Sequence, residues 1–371
     1  MRALSFIAML LVITTAVYSG ELKKEINAKP GGLLDVEINM GGTISIRGWD
    51  KDLVQVTTSF RGRELDEDVW VEIKDKGDGV YVHAGSDRNR SEDLEFEIYV
   101  PSKYNLELNT LGGSITVVGV EGEMDGETMG GAIDLKNLKG EIDFTTMGGS
   151  IELNDSDVDG KVSTMGGKVL FNNVVGDVDG SSMGGNVIYN NVRSRNGKST
   201  GREVKISTMG GNIKVDEALA GADVSTMGGR IEVRKAAKHV KANTMGGDIE
   251  IDEIDGWVKA TTMGGDVIVT MTGDPSKGKR DVNISSMGGD IELTLPDGIS
   301  AEFDLRITYT RRSSQDYQIK SDFDLEVEED EEWNYRNGDS RKNIDATGKT
   351  GSGEHIIKIS TVNGDIRIKK N

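Results

Sequence analysis

Thr208-Met209-Gly210-Gly211-Asn212-Ile213-Lys214-Val215 returns eighteen residues later as Thr226-Met227-Gly228-Gly229-Arg230-Ile231-Glu232-Val233, and again as Thr244-Met245-Gly246-Gly247-Asp248-Ile249-Glu250-Ile251. Met-Gly-Gly occurs ten times in the chain, always behind Thr, Ser or Asn. Met129, Met147, Met165 and Met183 are 18 residues apart, as are Met209, Met227, Met245 and Met263. Leu111 stands 18 before Met129, Met287 follows Met263 by 24, and Met40 and Val362 open outlying copies. A short fixed period means units that cannot bury an apolar face alone and must stack on their neighbours.

Counting from each motif Met, apolar residues return at plus four and plus six, as in Ile213 and Val215 or Ile249 and Ile251. A second alternating set falls at plus 13 and plus 15, as in Ile142 and Phe144 or Val258 and Ala260. Each unit therefore carries two short strands. Gly122, Gly140, Gly176 and Gly256 at plus eleven suit one corner, and Gly-Gly supplies the other. The expected fold is all-β, a parallel β-solenoid (β-helix) with about 18-residue coils stacked about 4.8 Å apart. The Met row reads as core, because Leu111 and Val362 share its place and both are apolar. Each such side chain would contribute about 1.5–3 kcal/mol on burial. A metal-binding Met stripe is set aside, since Cu(I) sites want clustered thioethers or thiolates and the chain has no Cys. The hydroxyl residue before each Met is expected to form a ladder at the corner.

Residues 4–17 are uncharged and mostly apolar behind Arg2, and Val17-Tyr18-Ser19 permits cleavage before Gly20. Residues 1–19 thus read as a signal peptide, too short for a comfortable transmembrane helix. Its removal takes one of 44 basic residues and none of the 63 acids, leaving 43 − 63 = −20. Such acidity argues against nucleic acid as a partner. The expected product is exported, whether periplasmic, cell-surface or secreted, with no membrane span once cleaved. Residues 20–109 alternate without the short period and read as longer opening coils. Residues 110–296 form the regular array, and 297–371 the closing coils and cap, with Lys369 and Lys370 as a charged end.

Gly42-Thr43-Ile44-Ser45-Ile46-Arg47-Gly48-Trp49-Asp50, Tyr99-Val100-Pro101 leading to Leu111-Gly112-Gly113-Ser114-Ile115, the serial Gly-Gly-x-Ile-x-Val units and the closing Thr361-Val362-Asn363-Gly364-Asp365-Ile366 together resemble the bacterial putative-adhesin family of unknown function. The resemblance covers nearly the whole mature chain. It implies an exported β-solenoid with an adhesive or cell-envelope role, and no catalytic residues to carry over. The constancy of Met departs from the family, which often has a small polar residue there.

His83, His239 and His355 are scattered and read as surface residues. No carboxylate pair stands out for a β-helix carbohydrate-active enzyme, a lyase or hydrolase, which remains the alternative to a binding scaffold. No cofactor is expected. Asp248, Asp266 and Asp290, with Glu250 and Glu292, form an acidic row that reads first as a solvated face and second as a weak Ca²⁺ candidate. Two insertions interrupt the period. One holds Arg193, Arg195, Lys198 and Arg202, the other Lys277, Lys279 and Arg280. Four steps of about 4.8 Å would place them roughly 19 Å apart on one edge. They are candidates for docking an anionic glycan, a cell-wall polymer or an envelope protein. A minor reading is ice binding, from Ser163-Thr164, Ser207-Thr208 and Ser225-Thr226, which needs an outward, uncharged Thr face.

Overall fold

The structure is a computed structural model that describes residues 16–18, 21–60, 69–77, 79–86, 94–193, 195, 203–313, 316–336 and 339–371. The apolar signal segment, the Gly20 cleavage point, Lys198 and Arg202 lie outside the described residues, apart from the strand Ala16–Tyr18. All regular structure among the described residues is β-strand, mostly in parallel pairs. Two compact units are present, Met1–Phe144 and Thr145–Asn371.

In the first unit the order of strands in space departs from chain order. Leu33–Ile38 lies between Gly79–Ser86 and Asn105–Thr110, parallel to both. Gly42–Trp49 lies likewise between Leu94–Pro101 and Ile115–Val118. The earlier strand pair is therefore sandwiched by two later ones. Beyond it, Leu53–Phe60 runs antiparallel to Leu94–Pro101, Glu21–Asn27 antiparallel to Leu53–Phe60, and Val69–Asp75 antiparallel to Gly79–Ser86. These antiparallel strands take up backbone groups that a parallel edge would leave bare. From Ile115 the register becomes regular, with Ile115 opposite Ile133.

The second unit has a regular register of its own. Ile151 pairs with Val169, Val169 with Val187, Ile213 with Ile231 and Ile231 with Ile249. Across the insertions the pairing continues unshifted, Val187 opposite Ile213 and Val258 opposite Val282. The alternation at plus four and six and at plus 13 and 15 is buried, as with Ile249, Ile251, Val258 and Ala260, with Gly160 and Val204 at plus-13 places partly exposed. One corner uses a left-handed residue at plus eight, Asp155, Asn173 and Asn191, at φ 51–54°. Its amides also stack, Asn173 donating to Asp155 at 3.1 Å and Asn191 to Asn173 at 2.8 Å.

The Thr-Met-Gly-Gly corner overturns one expectation. The Met row is outside, from 40% exposed at Met147 to 60% at Met287, while Thr164, Thr208, Thr226, Thr244 and Thr262 are buried. Strand parity explains it, because the inward series at plus 13 and 15 continues to the Thr, not to the next residue. The hydroxyl ladder does form. Thr226 Oγ1 donates to Gly211 O at 2.9 Å and accepts from Gly229 N–H at 3.2 Å, and Thr244 repeats this with Gly229 O and Gly247 N–H. The second glycine is obligatory, since a Cβ on Gly229 would stand 2.0 Å from Gly211 O. Only Met40, in the first unit, is buried as expected of the row.

Within the second unit the closing segment is also reordered. His355–Val362 inserts between Val282–Ser285 and Ala301–Thr310, and Ile366–Lys370 between Ile291–Leu295 and Ile319–Ser321. Lys369 and Lys370 are thus not the outermost layer. Asp339–Lys349 runs antiparallel to Ala301–Thr310 and in turn pairs antiparallel with Glu326–Glu329 and Asn334–Arg336.

Candidate functional site

Between the buried Val162 and Thr164, Ser163 faces outward, and the register extends that position through the second unit. Ser163, Ser181, Ser207, Ser225, Asn243, Thr261, Ser285 and Ser360 lie opposite one another in turn. None of these side chains is buried. Ser181 Oγ donates to Ser163 Oγ at 3.2 Å, and Ser360 Oγ to Ser285 Oγ at 3.3 Å. Two residues back along each strand runs a charged row, with Lys205, Asp223, Lys241 and Lys259 in register. An open groove of about 440 Å³ follows both rows, lined by Lys161, Ser163, Asp179, Ser181, Lys205, Ser207, Asp223 and Ser225. Val162, Gly180 and Ile206 also line it, so the groove combines hydroxyls and charges of both signs with apolar and backbone surface.

Beside the groove a carboxylate and an imidazole meet. His239 Nε2 is 2.5 Å from Glu203 Oε1, and the His239 ring stacks on Trp257 with centroids 4.9 Å apart. The bond from His239 holds the Glu203 carboxyl below its ordinary range. Lys241 reaches Asp223 at 3.4 Å, and Lys241 and Lys279 stand 5.9 and 5.7 Å from the Trp257 ring centroid. The reading of every His as a surface residue is thereby corrected. His239 is half-buried and paired with a residue 36 positions earlier, and His355 is buried. Glu203 sits in an insertion, so no fixed spacing announced the pair. The cluster joins an ion-pairing carboxylate to a stacked aromatic pair.

The basic insertions are already engaged within the fold. Arg195 bonds Asp157 and Asp159, both at 2.7 Å, and Arg193 is exposed at the end of Val187–Arg193. Lys277 pairs with Asp274 at 2.9 Å, and Lys279 with Asp281 at 3.1 Å. Arg280 is buried, donating to Asp274 O, Thr272 O and Asp255 Oδ1. It pins the loop from inside. The acidic row also has a backbone role. Asp248 Oδ1 accepts from Asp266 N–H at 3.0 Å, and Asp266 Oδ1 from Asp290 N–H at 2.8 Å. Arg230 bonds Asp248 at 3.0 Å and lies 3.8 Å from Glu250, while Glu292 meets Lys369 at 2.5 Å. Ice binding loses its outward threonines, because Thr164, Thr208 and Thr226 point inward.

The Toastrack DUF4097 family model matches residues 33–369. The chain belongs to the Toastrack DUF4097 family. Similar solved structures include a putative cell adhesion protein from Clostridium sporogenes ATCC 15579, at 8% identity over 94% of this chain and 99% of that one, TM-score 0.18. A putative adhesin from Bacteroides fragilis NCTC 9343 is 14% identical over 66% of this chain and 98% of that one, TM-score 0.33. A putative adhesin from Parabacteroides distasonis ATCC 8503 is 14% identical over 74% and 96%, TM-score 0.32. No curated protein matches this Toastrack chain.

Proposed function

We propose that this Toastrack chain is an exported, envelope-associated binding scaffold of the adhesin type that performs no chemistry, its repeats wound as a β-solenoid with coils of about eighteen residues. The observation that carries the reading is the outward row from Ser163 to Ser360, which offers a hydrogen-bonding group at each step of about 4.8 Å beside charged side chains of both signs. Equal steps of donor and acceptor suit an extended polymer with repeated polar groups, and the ligand class is an envelope polysaccharide. The surface is an open trough, where many weak bonds add along a chain. Resident salt bridges occupy most of the described basic-insertion side chains, so the hydroxyl row carries the binding.

The test is a panel of immobilised envelope polysaccharides probed with the parent and with a variant carrying Ser163→Ala, Ser181→Ala, Ser207→Ala and Ser225→Ala. A tenfold or greater loss of binding in the variant is expected, with the parent leaving the polymers uncut. Equal binding by both proteins rejects the row as the site, and cleavage of a polymer by the parent rejects the scaffold. Intact-mass analysis of native material is expected to find the chain starting near Gly20.

A further inference from the structure

The corner motif contains residues that the fold requires and residues that it does not. Thr226 and Gly229 are required, for the reasons of hydrogen bonding and close approach given above. Met227 and Gly228 are not. A Cβ on Gly228 would come no nearer than 3.7 Å to any atom, and Gly228 has no left-handed φ. Met227 is 45% exposed. Exposed positions elsewhere in the repeats vary freely: the residue after Gly-Gly is Ser150, Lys168, Asn186, Asn212, Arg230, Asp248, Asp266 and Asp290 in turn. Across those same eight repeats the exposed motif position is Met every time. A merely apolar role would accept Leu, which Leu111 shows is compatible with the corner at 50% exposure. The constant feature is the thioether.

Backbone bonds set these methionine residues over one another. Met227 N–H donates to Met209 O at 3.1 Å, Met245 N–H to Met227 O at 3.2 Å, and Met209 N–H to Met183 O at 3.1 Å across an insertion. Successive Met residues therefore rise by one strand spacing of about 4.8 Å. Metal–sulfur bonds are about 2.3 Å, so two sulfurs on opposite sides of one ion stand about 4.6 Å apart. The step of the ladder suits that span. Thioethers are soft, weakly basic ligands that select Cu(I)-class ions over hard cations. The Gly-Gly that follows each Met puts no side chain beside the row, and Asp248, Asp266 and Asp290 add negative charge three residues further on.

We propose that the exposed methionine ladder from Met147 to Met287 binds soft monovalent metal ions, Cu(I) or Ag(I), held between sulfurs of successive repeats. This goes beyond the polysaccharide reading and stands independently of it. Burial of the row would have closed the site; its exposure opens it.

The full chain is titrated with Ag(I) in chloride-free buffer, and with Cu(I) supplied anaerobically from a chromophoric chelator. Eight Met give seven neighbouring pairs, and substituting Met209, Met227 and Met245 by Leu leaves three, the pairs 147/165, 165/183 and 263/287. Saturable uptake that falls by more than half in this triple variant is expected, unaffected by excess Ca²⁺ or Zn²⁺. Equal uptake by parent and variant, or displacement by Ca²⁺, overturns the proposal. A measurement on the parent alone decides the matter if the variant does not fold. With ¹³C-methyl methionine, Ag(I) is expected to shift the ladder resonances and leave buried Met124 and Met271 in place. Ladder resonances that stay still overturn it.

Discussion

The repeats between Met147 and Leu295 and the segment that follows them hold strands together by opposite means. In the repeats a strand's partners are eighteen residues away, or slightly more across an insertion, and each layer depends only on its neighbours. In the closing segment Val282 pairs with Ile357, 75 residues on, and Ala301 with His355, 54 on. The first arrangement tolerates loss or gain of a layer. The second makes three distant pieces mutually dependent.

Removing residues 355–371 tests the second arrangement hardest. It takes out buried Ile357, Ile359, Ile366 and Ile368, each contributing about 1.5–3 kcal/mol, and bares strands on both sides. The thermal midpoint should fall by about 10 °C or more, with aggregation. Excising 228–245, one complete repeat that rejoins Met227 to Gly246, should cost less than half of that shift. Equal losses measured by circular dichroism would erase the distinction between the regions.

Arg280→Met sharpens the contrast at an insertion. It deprives Thr272 O, Asp274 O and Asp255 of their donor, and about 2–3 kcal/mol should be lost in urea titration. Hydrogen exchange should rise mainly in residues 272–281. Within the regular corner, Thr226→Val leaves Gly211 O and Gly229 N–H unpaired by that hydroxyl and should cost about 1–2 kcal/mol. Met227→Asp beside it should stay within about 0.5 kcal/mol, as an exposed substitution does. A larger loss for Met227→Asp than for Thr226→Val would show that the row is packed. The smallest effect concerns Glu203. Its carboxyl is held below the ordinary value by His239, so its contribution is present above about pH 4.5 and fades as pH falls through the lowered value. Glu203→Gln should therefore flatten the decline of stability on the acid side, read as the slope of midpoint against pH.

The period, the two strands per repeat and the hydroxyl ladder were legible because they recur. The placing of Met was legible as well. Ile142, Phe144 and Thr146 are alternate residues of Lys139–Thr146, and all three are buried. Following their parity puts Thr146 inside, whereas apolar character alone pointed to its neighbour. The plus-eight corner had a visible signal too, in Asn173 and Asn191, residues that tolerate left-handed φ. The reordering at either end left no periodic trace, because each strand there is used once. His239 with Glu203 was hidden for the same reason. The outward Ser row followed from parity, but the groove and the buried state of Arg280 depend on how loops fold back.

The inserted strands at the far end impose an order in time as well as in space. Ala301–Thr310 is synthesised before His355–Val362, yet its parallel neighbour is that later strand. At about 5–20 residues per second, the roughly 45 intervening residues take about 2 to 9 s to appear. Throughout that interval the nascent segment lacks its parallel partner, and its antiparallel neighbour Asp339–Lys349 also appears only late in it. A chain interrupted there would display two unmet edges at once, which gives quality-control proteases and chaperones a signal that disappears only when the later strand docks.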